Sequence, residues 1–125
     1  MNYFTIKQKL PSLNQYTIAC RSNKYAGAKF KRDIEEAIGW DIKQALTSKT
    51  LHPPDGAVFV RFVWHERTKK RDADNIASAK KFILDALVNN GVLKDDSRKY
   101  VKGFYDEIID DTADFVRVEF VEVER

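Results

Sequence analysis

The stretch AVFVRFVWHERTKKRDADNIASAKKFILDALVNNGVLKDD, Ala57 to Asp96, changes its hydrophobic period midway, and that change sets the fold class. Val58, Val60, Phe62 and Trp64 recur at period two and make one continuous apolar face, the mark of a strand. The opposite face, Phe59, Arg61, Val63 and His65, is mixed, which predicts a central strand with one side only partly covered. A basic run follows (Arg67, Lys69, Lys70, Arg71), then Asp72 and Asp74 two residues apart. From about Asp74 to Asn89 the apolar residues Ile76, Ile83, Leu84 and Leu87 fall at helical spacing, and Asn90-Gly91 stops the helix. The stretch closes on a second acidic pair, Asp95–Asp96.

Outward from this unit, residues 2–10 alternate and end at Leu10-Pro11, predicting a first strand. Residues 11–27 read as a polar, irregular connection carrying Arg21 and Lys24. Between about Ala28 and Leu46, Phe30, Ile34, Ala37, Ile38, Ile42 and Ala45 share one helical side, with Arg32, Glu36 and Lys43 opposite. LHPPDG at 51–56 breaks regular structure. Tyr100 to Ile109 reads as a strand interrupted at Gly103, Asp110-Asp111 as a turn, and Asp114 to Glu124 as a final strand. The order β-α-β-α-β-β describes one α/β (α+β) domain over residues 1–125, a small mixed sheet with two helices.

At 125 residues and 43% apolar, the chain can bury one core. No apolar run approaches the roughly 20 residues of a membrane span, and the alternating, charged N-terminus is not a signal peptide. The single Cys20 makes no internal disulfide. These features predict a cytoplasmic protein. The net charge of +3 hides an asymmetry: residues 1–105 hold 20 Lys and Arg against 11 acids, and residues 106–125 hold two arginines against eight acids. A chain basic over most of its length suits a polyanionic partner such as nucleic acid.

Asp72-Ala73-Asp74-Asn75 admits three readings. An EF-hand loop counted from Asp72 would place Ile76 and Ile83 where oxygen ligands are needed, and so fails. A helix N-cap would use Asp74 or Asn75 to satisfy free N–H groups, with Asp72 at the positive helix end. A magnesium site would use both carboxylates, which project to one side if the segment is extended. Asp95 or Asp96 would return a further carboxylate from beyond the helix.

Helical phase sorts the lysines. At about 100° per residue from Asp74, Ser78, Lys81 and Asp85 lie within about 40°, and Lys80 lies about 240° away in the apolar arc. Lys81 therefore faces the acids and can pair with Asp85 at i+4. Lys80 is expected to snorkel past apolar neighbours.

Arg71-Asp72-Ala73-Asp74-Asn75, then Phe82-Ile83-Leu84-Asp85-Ala86-Leu87, then Gly91-Val92-Leu93-Lys94-Asp95-Asp96 resemble the RusA family of Holliday-junction resolvases, small endonucleases common in phages and prophages. Leu10-Pro11-Ser12-Leu13-Asn14 is similar to that family's opening P-x-x-N element. The resemblance covers chiefly residues 65–101. It implies a Mg²⁺-dependent homodimer, a crossover junction endodeoxyribonuclease of recombination and repair that cuts four-way DNA junctions symmetrically. It places the metal-binding, catalytic carboxylates on Asp72, Asp74 and Asp96 and the catalytic lysine on Lys81. The seven residues from Asp74 to Lys81 exceed the family's spacing of about one turn, but the extra three (about 300°) keep the helix face, and Lys80 is the alternative. Arg67, Lys69, Lys70 and Arg71 are the expected DNA phosphate contacts. A branched-DNA-binding protein of the same fold with little or no cleavage is the alternative function.

Overall fold

The computed structural model describes residues 1–123, so the ends of the chain at Glu124 and Arg125, including the last residue of the expected final strand, lie outside the described residues. Its elements are β1 (Asn2–Ile6), α1 (Leu13–Ser22), α2 (Lys24–Ser48), β2 (Val58–Glu66), α3 (Ala73–Ala77), α4 (Lys80–Asn89), β3 (Val101–Asp110) and β4 (Phe115–Glu122). The four strands form one mixed sheet in the order β1-β4-β2-β3. β4 runs antiparallel to both β1 and β2, and β2 and β3 are parallel, joined by the crossover that carries α3 and α4.

Register explains the core. Phe4 lies opposite Val118 and Val118 opposite Phe62, while Ile6, Val116 and Trp64 form the next rung. These residues, with Val58, Val60 and Phe120, are buried on one face against Ile38 and Ile42 of α2 and Ile83 and Leu87 of α4. The other face, with Tyr3, Phe59, Arg61, His65, Arg117 and Glu119, is only half-buried. β2 is thus the central, one-side-covered strand its pattern predicts.

Two expectations about helices are corrected. Residues 11–27 are not an irregular connection but α1 and the start of α2. Ser12 accepts from the Gln15 amide at 3.3 Å while the Gln15 side chain accepts from the Ser12 amide at 2.8 Å, a reciprocal capping box. Asn23 then ends α1 and caps α2, its Oδ1 accepting from the Tyr25 and Ala26 amides at 2.9 and 2.8 Å. The two helices pack so closely that a Cβ on Gly27 would lie 2.6 Å from the Cys20 sulfur. The second correction concerns the helix expected from Asp74 to Asn89, which is two segments, α3 and α4. Ser78 and Ala79 keep right-handed helical dihedrals between them, and Ala79 and Phe82 bond three residues back, so the axis tightens without reversing. The two helices expected are therefore four helical segments.

Candidate active site around helix α3 and the start of α4

The loop leaving β2 splits its basic run by direction. Lys69 reaches Asp110 at 3.8 Å with its side chain 83% exposed, and Arg67 reaches Asp114 at 3.5 Å with its side chain 69% exposed. The Arg67 backbone amide also donates to Asp114 at 2.8 Å, which anchors the start of the loop. Lys70 is exposed, its amide bonded to the Thr68 hydroxyl. Arg71 turns inward: Nε and Nη2 donate to the two Glu66 oxygens at 3.1 and 2.9 Å, and Nη1 donates to the Leu10 carbonyl at 3.0 Å.

Asp72 occupies the N-cap position of α3, its carbonyl accepting from the Ile76 amide at 3.1 Å while its side chain makes no cap hydrogen bond, and Asp74 sits in the first turn, its Oδ1 accepting from the Asn75 amide at 3.0 Å. The extended i, i+2 geometry expected of the pair is therefore replaced by a cap residue and a helical residue. Both are exposed. The cap reading is met in part: Asp74 accepts from a first-turn amide and Asp72 stands at the positive end of α3, its carboxylate without a cap hydrogen bond.

Lys81, in the first turn of α4, donates to Asp96 at 2.9 Å and lies 3.0 Å from Asp85, the i+4 neighbour expected from helical phase. Asp85 in turn lies 3.1 Å from Lys31 of α2, so alternating charges run from α2 across α4 to the loop after it. The Asp96 carboxylate first, and Asp85 after it, holds the Lys81 ammonium above its ordinary range. Asp95 does something different: its Oδ1 accepts from the Ser97 amide at 2.7 Å, and the Ser97 hydrogen bonds hold its carboxyl below the usual range. Of the second acidic pair, one member shapes the turn and the other meets the lysine.

Lys80 passes over the rings of Phe62 and Phe104 (5.5 and 4.7 Å to the centroids) and ends on Asp106 at 2.6 Å. Trp64 Nε1 donates to the other oxygen of Asp106 at 2.9 Å. That lysine is committed to the sheet, which leaves Lys81 as the one near a predicted site carboxylate.

Among the described residues, no three His, Cys, Asp or Glu side chains converge as a metal site. A hydrated Mg²⁺ needs only one or two carboxylates besides substrate oxygens. Asp72 and Asp74 are exposed hard-oxygen donors of the kind such an ion takes, although they no longer lie on one extended segment, whereas Asp96 is turned toward Lys81. Sequence reasoning missed Glu66, Ser78 and Asp106. For Glu66 the signal was available, since it continues the inward series 58, 60, 62, 64 of β2. Ser78 and Asp106 have no such signature, because their partners Leu13 and Trp64 are distant in sequence. Neither a family model nor a curated protein matches this chain.

Proposed function

We propose that the protein is a Mg²⁺-dependent, structure-selective endodeoxyribonuclease that acts as a homodimer on four-way DNA junctions, as the RusA-like motifs imply. The observation that carries the reading is the 2.9 Å meeting of Lys81, at the start of α4, with Asp96, beyond its end, two of the residues that the motifs name. Asp72 and Asp74 would hold the ion. The chemistry that a bound Mg²⁺ supplies is activation of a water and neutralisation of phosphate charge. Lys81, exposed and cationic, would turn from Asp96 to the scissile phosphate and stabilise the charge that develops there. Arg67, Lys69 and Lys70, all pointing to solvent, would engage flanking phosphates and make binding salt-sensitive.

Cleavage of a synthetic four-way junction by the wild type and by Asp74→Asn tests the assignment. The substitution keeps size and removes charge. We expect cleavage by the wild type that EDTA abolishes, and a loss of about 100-fold or more in the variant. Equal cutting by both would refute the metal assignment. The mutual satisfaction of Lys81 and Asp96 favours one second reading, a branched-DNA-binding protein of the same fold with little or no cleavage. Junction binding without nicking in Mg²⁺ would select it.

A further inference from the structure

The alternation of β2 decides where Glu66 goes. Val58, Val60, Phe62 and Trp64 point under the helices, and Glu66 follows them inward, its side chain 5% exposed. A carboxylate that deep is strongly unfavourable unless paired and hydrogen-bonded. Arg71, five residues on and 17% exposed, meets it with a two-pronged hydrogen bond, and the remaining prong takes the Leu10 carbonyl. A guanidinium so occupied has turned away from the surface that nucleic acid can reach.

The far end of α3 is held from the same segment. The Leu13 amide donates to Ser78 Oγ at 3.0 Å, and that hydroxyl donates to the Asn75 carbonyl at 2.7 Å. Residues 10–13, kept in place by the buried Leu10 and the buried cap residue Ser12, therefore grip α3 before its first residue and after its last. Asp72 directly follows Arg71, and Asp74 lies between the two grips.

We propose that Glu66, Arg71 and Ser78 are positioning residues that fix α3, and with it the Asp72 and Asp74 carboxylates, and that Arg71 is not a phosphate contact. This rests on the reading of Asp72 and Asp74 as the reactive carboxylates. The basic run is then divided by function: Arg67, Lys69 and Lys70 face outward, and Arg71 secures the loop from within.

The test uses Glu66→Gln, Arg71→Lys, Ser78→Ala and the double variant Glu66→Met/Arg71→Met, which removes both buried charges together and so keeps the fold where one removal alone would strand the other. Amide hydrogen exchange of the full chain without DNA is read first. Residues 68–78 should exchange about tenfold faster in the single variants while β2 and β4 stay protected. In junction binding, the double variant should keep the wild-type salt slope, whereas Lys70→Ala should lower it by about one. In cleavage, Glu66→Gln should lower kcat about tenfold with KM within about twofold, and the comparably destabilised core variant Ile83→Val should leave kcat unchanged. Wild-type exchange in Glu66→Gln and Arg71→Lys, or a salt slope reduced by about one in the double variant, would overturn the proposal. A wild type that neither binds nor cuts junctions would sink the nuclease reading alone, since the exchange experiment needs neither activity.

Discussion

Glu35 lies on the side of α2 that faces α4, where Lys31, Ala86, Asn89 and Asn90 line a shallow groove with it. One of its carboxylate oxygens, Oε1, is buried and has no hydrogen-bond partner among the described residues. Burial pushes its carboxyl above the usual range; the Lys31 ammonium opposes this, and Asp85 adds to it. The sign follows from proton linkage. A carboxyl whose folded pKa exceeds its unfolded value binds its proton more tightly in the folded protein, so its contribution is most favourable below the unfolded value and declines as pH rises through the folded one. Glu35→Gln removes the ionisation and leaves the shape. Denaturant unfolding should show the variant more stable than wild type by about 0.5–1 kcal/mol at pH 7, with the gain gone near pH 4. A variant less stable at pH 7 would mean that the buried oxygen has a partner in solution. The nearby charges differ in kind: Lys31 and Lys81 each sit against Asp85 at the surface, and such exposed pairs contribute little to stability.

At the scale of the element, α1 depends on its ends. It contains no buried residue, so no apolar stripe announces it, and its contact with the core runs through the partly buried Tyr16, whose ring stacks on Phe82 at 5.4 Å. Its start rests on Ser12 and Gln15. Ser12→Ala should cost about 1 kcal/mol and speed amide exchange across residues 13–22, with β2 unaffected; unchanged exchange there would show that packing on α2 alone holds the helix. The same contrast explains what could be read in the chain. β2 and β4 were legible, because alternation against one covered face leaves a pattern that only one register satisfies, whereas the first strand ends at Ile6 and not at Leu10. α2 was legible for the corresponding reason, with Ile38, Ile42 and Ala45 buried as their spacing predicts. α1 was not, since Ser-x-x-Gln and Asn23 are short polar signals inside a polar segment. The division of the later helix at Ser78 depends on a hydroxyl meeting Leu13, a contact between residues far apart in sequence, and no local periodicity carries it. For the candidate site, spacing placed Lys81 beside Asp85, but the inward turn of Arg71 follows from the end of β2 rather than from the basic run around it.

For the whole molecule, the sheet's two edges are unequal. β1 is five residues long, whereas β3 is ten, pairs among the described residues only with β2, and presents Phe104, Tyr105 and Ile108 at 43%, 55% and 36% exposure. Strand edges are normally protected by short length, proline, bulges or inward charge, since unpaired N–H and C=O groups invite another strand. Here the register shift near Val101 and Gly103 lies at one end, and the run from Phe104 to Asp110 is regular. A second copy of β3, antiparallel about a two-fold axis at Asp106, would set Phe104 of one protomer against Ile108 of its partner, twice, and continue the sheet. The two Asp106 carboxylates nearest the axis are each already held by Lys80 and Trp64 of their own chain, which moderates their repulsion. Lys80 begins α4, so this arrangement would place the two Lys81–Asp96 pairs on either side of one axis, as symmetric cuts in two strands require. Ile108→Lys adds a charge at the edge and removes one apolar partner in each half of the interface. Sedimentation should show the wild type as a dimer and this variant as a folded monomer at micromolar concentration. On a four-way junction, the proposed activity should give paired cuts by the wild type and single nicks by the variant. A variant that stays dimeric with paired cutting would place the subunit contact elsewhere, and the half-buried face of Phe59, Arg61 and His65 would be the next surface to alter.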